Sequence, residues 1–289
     1  MLLRTRAPAK INLTLHVTRR RQDGFHDLES LVAFAGVSDI LTLEPGRPLG
    51  LDVSGPTATA AGDADGNLVL KATRALAERV PGLRTGAFAL VKRLPVGAGI
   101  GGGSSDAASA LRLLARLNGL APDDDRLLAA ARATGSDVPV CLHPRARMMA
   151  GTGDRLGVPL AARPLYAVLA NPGIHVATPA VFAGMGLRPG ETRDQAEHGV
   201  PHDGLSHEAF IALLRAGRND MEAAALSLAP AIGDAIDALA ATAGHRLVRM
   251  SGSGSTCFAL YDDRRQARAA ARLLAGARPD WWVRATALR

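Results

Sequence analysis

The chain has 289 residues, 47% of them hydrophobic and only 3% aromatic, with a net charge of +7. That is enough for two domains with real cores, and no apolar run reaches the ~18–20 residues that cross a bilayer. The scarcity of aromatics argues against a stacking platform for single-stranded nucleic acid, and two solitary cysteines, Cys141 and Cys257, argue against a thiolate metal site.

In chain order, alternation predicts a strand over 2–6 and another over 11–17, with Ala7–Lys10 as a kink. Residues 19–24 form a polar turn, and 28–34, 39–43 and 49–53 read as further strands. Helical spacing runs from Asn67 to Arg79. Phe88–Lys92 is a strand leading into a glycine-rich loop, followed by a helix over 105–117. A second helix over 122–133 closes at Gly135, and Ser136 is expected to cap a short helix after it. A strand over 147–150, the turn Gly151–Asp154 and one more strand finish this half. From Leu165 the rhythm becomes strand, helix over 178–185, a long polar loop over 187–207, helices over 208–217, 219–227 and 230–243, then a strand pair around Ser251–Ser255. A helix over 264–275 and a strand over 281–287 end the chain. The class expected is α+β, with a boundary near 155–163, dividing the chain into 1–158 and 159–289.

The glycine loop carries the most information. Five of the seven residues from Gly97 to Gly103 are glycine, and Ser104, Ser105 and Asp106 open the helix behind them. Glycine lets the backbone approach a ligand closely, and a helix start supplies unpaired N–H groups and a positive dipole end. Together they make an anion cradle, most often for phosphates. A Walker A loop needs Lys then Ser/Thr after its last glycine, and Gly103 is followed by two serines. Gly97, Gly99 and Gly102 match G-x-G-x-x-G, but the acids about twenty positions on, Asp123–Asp125, follow Pro122 and read as a helix cap. The dinucleotide reading therefore fails.

Arginine supplies nearly all the positive charge; only Lys10, Lys71 and Lys92 are lysine. This suits anionic ligands, and with no arginine-rich tail it reads as a solvated surface plus a phosphate-friendly cleft. No nucleic-acid partner and no membrane are expected. The start Met1–Arg6 lacks a signal-peptide apolar region, and unpaired cysteines suit a reducing compartment, so a cytoplasmic location is expected.

Three separated segments, Pro8–Leu13, Pro95–Ala108 and Ser251–Thr256, resemble in this order the galactokinase, homoserine kinase, mevalonate kinase and phosphomevalonate kinase (GHMP) superfamily. Ala7–Asn12, Gly24-Phe-His-Asp-Leu28 and Gly135-Ser-Asp-Val-Pro139 resemble the branch that phosphorylates the 2-hydroxyl of 4-diphosphocytidyl-2-C-methyl-D-erythritol, in the non-mevalonate route to isoprenoid precursors. The resemblance covers nearly the whole chain. It implies an N-terminal domain like ribosomal protein S5 domain 2, a C-terminal ferredoxin-like α/β sandwich, ATP and acceptor meeting between them, Mg²⁺ with the ATP, and a monomer or homodimer. Homoserine or mevalonate kinases, and an inactive ligand sensor on the same fold, are the alternatives.

The resemblance also implies roles. Asp137 is the candidate general base; the alternative is an acid that merely caps a helix. Lys10 is its electrostatic partner; the alternative is a surface lysine at a strand end. Pro95, Val96, Gly97, Ala98, Gly99, Ile100, Gly101, Gly102 and Gly103 wrap the ATP phosphates. Ser104, Ser105 and Asp106 either reach phosphate or Mg²⁺ or act as caps, and Asn67 and Leu68 resemble the adenine-side segment. Phe25 and His26 would hold the cytosine by stacking and hydrogen bonding, with Phe182, after Thr178, as a second slab; core packing is the alternative for each. Many relatives carry Tyr at the position of Phe25, so a hydroxyl contact is lost there. Asn12 either binds the acceptor's diphosphate or polyol chain or satisfies a strand end. Ser251–Thr256 either lines the acceptor side or is a plain hairpin turn. Thr152, Gly153 and Asp154 follow the family's glycine turn with no chemistry assigned. His198, His202 and His207 lie in a Pro/Gly loop and read as solvated, not as zinc ligands.

Overall fold

The computed structural model describes residues 1–62, 66–161, 163–193 and 199–289. Its packing forms two compact units that interleave in sequence. The first comprises Met1–Lys10, Val37–Val96 and Gly101–Pro144; the second comprises Ile11–Gly36, Gly97–Ile100 and Arg145–Arg289. A single cut near residue 158 does not separate these units, because 11–36 and 97–100 pack with the C-terminal half.

The chain opens with strands β1 (Leu3–Asn12), β2 (His16–Arg20) and β3 (His26–Pro45). The expected kink at Ala7–Lys10 is absent. Pro8 holds φ at a value that a strand tolerates where the missing N–H is not needed, and β1 runs through it. The two strands expected between 28 and 43 are likewise one. Gly36 does not break β3; it keeps the strand clear of Thr286, whose Oγ1 would lie 3.2 Å from a Cβ there.

In the first unit, β4 (Gly50–Ser54) runs parallel to β5 (Gly86–Val91), and β5 pairs antiparallel with the second half of β3, from Ile40↔Val91 to Pro45↔Gly86. Four helices pack together beside them: α1 (Leu68–Ala77), α2 (Gly102–Asn118), α3 (Asp125–Thr134) and α4 (Val138–Leu142). The buried face of α2 is mostly small, with Ala107, Ala108 and Ala110 beside Leu111 and Leu114. Small residues let neighbouring helices approach closely while the leucines supply the apolar burial. Asn67 caps α1 and Asp124 caps α3. Ser136 does not cap α4: the cap position is Asp137, whose carboxylate makes no capping bond and turns to Lys10 instead.

In the second unit, the first half of β3 pairs with β2 and with β6 (Arg147–Gly151), which turns into β7 (Arg155–Leu156). Next come β8 (Leu165–Asn171), α5 (Thr178–Gly184), α6 (His207–Ala216), α7 (Glu222–Leu228), α8 (Ala231–Ala240), β9 (His245–Met250), β10 (Cys257–Tyr261), α9 (Arg264–Ala277) and β11 (Trp282–Leu288). The last four strands form an antiparallel sheet in the order β11-β8-β10-β9, with α8 and α9 packed against it. This is the split βαββαβ order of a ferredoxin-like sandwich. Val168, Ala170, Ile232, Leu239, Met250, Ala259 and Leu274 fill its core.

Candidate active site

Lys10 and Asp137, the pair expected to carry the chemistry, both lie in the first unit. Lys10, near the end of β1, donates from Nζ to Asp137 Oδ2 at 2.8 Å. Their side chains are 5% and 31% exposed, so the ammonium is enclosed while the carboxylate still reaches solvent. The pair forms because β1 continues through Pro8 and because Asp137 leaves the cap of α4 unmade. Gly101 lies against it: a Cβ there would fall 3.3 Å from both Cβ and Cε of Lys10 and 3.8 Å from Asp137 Oδ2. The last glycine before α2 thus brings backbone directly to the ion pair.

Gly97, Gly99 and Gly101 have φ of +62°, +71° and +59°, and among the described residues none other than glycine has a positive φ. Alternation of left-handed glycines with residues of ordinary hand turns successive N–H groups toward one side, the geometry of an anion-binding nest. Gly101 is the cap residue of α2, and among the described residues no side chain makes a capping bond at that end. The capping alternative for Ser104, Ser105 and Asp106 therefore falls. Ser105 is fully buried, and its Oγ has no hydrogen-bond partner among the described residues. Asn67 accepts the Val69 N–H at 3.0 Å, and Leu68 Cδ1 would lie 3.5 Å from a Cβ at Gly103. The start of α1 therefore adjoins the start of α2.

Asp106 belongs to a cluster that sequence reasoning missed. Lys92 Nζ donates to Asp39 Oδ2 at 2.5 Å and to Asp106 Oδ2 at 2.8 Å, with all three side chains buried. Asp39 Oδ1 also accepts the N–H groups of Arg93 and Leu94. The cluster therefore ties the residues leading into the glycine loop to the helix leading out of it. Burial pushes the Asp106 carboxyl up to about 7, with Lys92 only partly pulling it back. The one available signal was the rarity of lysine.

The second unit holds the remaining residues. The turn Ser251–Thr256 joins β9 to β10 and supports the glycine loop: Ser251 Oγ donates to Gly99 O at 3.0 Å, and the Thr256 N–H donates to Ala98 O at 3.1 Å. Asn219 Nδ2 steadies the turn, donating to Met250 O and Gly252 O at 2.9 and 2.8 Å. Asn12 is 1% exposed; its N–H donates to Ser251 Oγ and its Nδ2 to Ser30 Oγ, while its Oδ1 has no partner among the described residues.

His26, not Phe25, meets Phe182. Their ring centroids are 4.3 Å apart at 14°. A base between two rings needs roughly 7 Å, twice a contact distance, so His26 and Phe182 are not the two walls of one slot. Phe25 is 63% exposed, its ring open to solvent. Burial, then the charge of Arg20, lowers the His26 pKa, which favours a neutral imidazole offering one donor and one acceptor. Its Nε2 is buried without a partner among the described residues. Thr178 Oγ1 and Ser253 Oγ are 2.7 Å apart. Thr152 donates from N and Oγ1 to Asp154 Oδ1, closing the turn around Gly153 between β6 and β7. His198 lies outside the described residues, and among the described residues no group of three or more His, Cys, Asp or Glu could hold a metal ion.

Residues 67–145 match the family model for the GHMP kinases N terminal domain, and residues 204–277 match that for GHMP kinases C terminal. The chain is 61% identical to a 4-diphosphocytidyl-2-C-methyl-D-erythritol kinase of Methylobacterium radiotolerans, over 100% of this chain and 99% of that protein. It is 60% identical to the protein of the same name from Xanthobacter autotrophicus, again over 100% and 99%. Among solved structures, a crystal structure of 4-(cytidine 5'-diphospho)-2C-methyl-D-erythritol kinase aligns over 99% of both chains at 36% identity and a TM-score of 0.73. A homoserine kinase from Cytophaga hutchinsonii aligns over 99% of this chain and 94% of its own, at 17% identity and a TM-score of 0.66, a likeness of fold alone.

Proposed function

The chain belongs to the GHMP kinase family, and on that premise we propose that it transfers the γ-phosphoryl group of ATP to the 2-hydroxyl of 4-diphosphocytidyl-2-C-methyl-D-erythritol, in the non-mevalonate route to isoprenoid precursors. The observation that carries this reading is the 2.8 Å contact of Lys10 with Asp137, beside Gly101. Asp137 takes the proton of the acceptor hydroxyl. The freed oxygen bonds to the γ-phosphorus, the bond to the β–γ bridging oxygen breaks, and ADP leaves. The Lys10 ammonium stabilises negative charge on the attacking oxygen and on the phosphoryl group in transit.

The left-handed glycines and the uncapped start of α2 fit a polyphosphate, with Asn67 and Leu68 on the adenine side. Mg²⁺ bound with the ATP would supply charge neutralisation at the phosphates, and Ser105, its buried Oγ unpartnered among the described residues, is the residue nearest in chemistry to a ligand for it. The cytosine stacks on the open ring of Phe25, and neutral His26 reads its edge. Phe182 backs His26 and so acts behind the base. Asn12, with an unpaired buried oxygen, serves the diphosphate or polyol portion. The reaction is assigned to the cytoplasm, with the enzyme a monomer or homodimer.

The test offers the purified chain ATP and Mg²⁺ with the cytidyl acceptor, homoserine and mevalonate in parallel, and measures ADP release. Turnover is expected with the cytidyl acceptor. Lys10→Ala and Asp137→Ala are each expected to lower kcat by about 10²-fold or more in protein that still folds, as checked by circular dichroism. Turnover of homoserine or mevalonate alone would overturn the substrate, and near-normal kcat in either variant would overturn the assigned roles. No turnover of any acceptor would favour a ligand sensor.

A further inference from the structure

His175 lies in the segment between β8 and α5, within the second unit, and its ring occupies the space that a side chain at Gly97 would need. A Cβ at Gly97 would fall 2.3 Å from His175 Cδ2 and 2.6 Å from Nε2. The segment is fastened closely around it. Asn171 Oδ1 accepts the Gly173 N–H at 2.8 Å, and its Nδ2 donates to Ser255 Oγ and Thr256 Oγ1 at 3.1 and 2.9 Å. Ser255 Oγ donates to Ile174 O, and Val176 is buried in the core. Between these anchors His175 itself is exposed, and no hydrogen bond or ion pair with another described residue engages its imidazole.

An exposed ring held against a backbone loop loses rotamer freedom with no internal hydrogen bond in return. The loop it covers presents N–H groups suited to an anion, and imidazole adds a further N–H donor there. We propose that His175 is a phosphate-binding residue of this kinase, donating from its imidazole to a phosphoryl oxygen lying over Gly97–Ile100. The proposal rests on the phosphoryl-transfer reading above. Both ATP and the diphosphate of the cytidyl acceptor offer that oxygen, and the experiment separates them.

His175→Ala, His175→Gln and His175→Lys in the full chain are compared with wild type by initial rates, varying ATP and the cytidyl acceptor in turn. The expected result for His175→Ala is a five- to twentyfold higher KM for one of the two, with kcat within twofold. His175→Gln and His175→Lys, which keep a donor, are expected to recover most of the loss. A shift in KM for ATP assigns the contact to the nucleotide; a shift in KM for the acceptor assigns it to the diphosphate. If wild type turns over and both KM values of His175→Ala stay within twofold, the inference is wrong. A fall in kcat at unchanged KM would also refute it. If wild type turns over no acceptor, the kinase reading fails while calorimetric Kd values for ADP and CDP still decide this one: a fivefold weakening of either in His175→Ala supports the contact, and equal values refute it.

Discussion

Each of the three lysines of this chain is tied to a partner far away in sequence, and Lys10 and Lys92 are buried. Lys10 holds Asp137, Lys71 donates to Thr134 O at 2.9 Å, and Lys92 bridges Asp39 and Asp106. The third of these has a consequence for stability. Asp106 holds its proton up to about pH 7 in the folded chain, while an unperturbed aspartate loses it near 4. Between about pH 4 and 7 the folded state therefore binds a proton that the unfolded state has released, and this group's contribution to stability falls as pH rises. Asp106→Asn removes that fall. In urea titrations at pH 5, 6, 7 and 8, the difference in unfolding free energy should move in the variant's favour with rising pH, and a pH-independent difference would contradict the buried-acid account. Lys10 and Asp137 were legible because each sits inside a recognisable motif. Asp39 was not, because nothing in its own neighbourhood announces a partner 53 residues away.

At the scale of elements, the glycine loop is shaped by a second loop. Gly99 packs against the β9–β10 turn so closely that a Cβ would fall 2.3 Å from Ser251 O and 2.7 Å from Gly254 O. Its φ of +71° adds a cost of about 1–2 kcal/mol for any residue with a Cβ. Gly103, four residues on, is helical, and a Cβ there meets Leu68 Cδ1 at an ordinary 3.5 Å. Gly99→Ala should therefore lower the thermal midpoint by several degrees and raise KM for ATP, while Gly103→Ala should leave the midpoint unchanged or raised. Equal midpoints for the two would show that the turn does not constrain the loop. Glycine content alone gives no means of ranking these positions. Helices were read well because each carries its own apolar period, and some a side-chain cap such as Asn67 or Asp124. The kink at Ala7–Lys10 and the break in β3 were misread because sheet pairing overrides local punctuation from Pro8 and Gly36.

At the scale of the molecule, the two cysteines report on separate units, Cys141 on the first and Cys257 on the second. Both are fully buried; burial pushes the Cys141 thiol up to about 12 and raises that of Cys257 as well. A thiol reacts as thiolate, so neither should react with an aromatic disulfide reagent in the native protein, and both should titrate in concentrated guanidinium. In single-cysteine variants the slow native reaction then measures the opening of each unit by itself; immediate reaction of either thiol would contradict its burial. The sequence by itself determined the class of the protein, the glycine-rich loop before α2, the Lys10 and Asp137 pair and most of the order of strands and helices, because these are carried by short motifs and local periodicity. Tertiary structure alone decided the contacts made over long separations: Lys92 with its two acids, the turn beneath Gly99, His26 against Phe182, and the interleaving of the units. Such contacts arise from packing and buried-charge satisfaction, which depend on which surfaces meet and leave no trace in the spacing of residues along the chain.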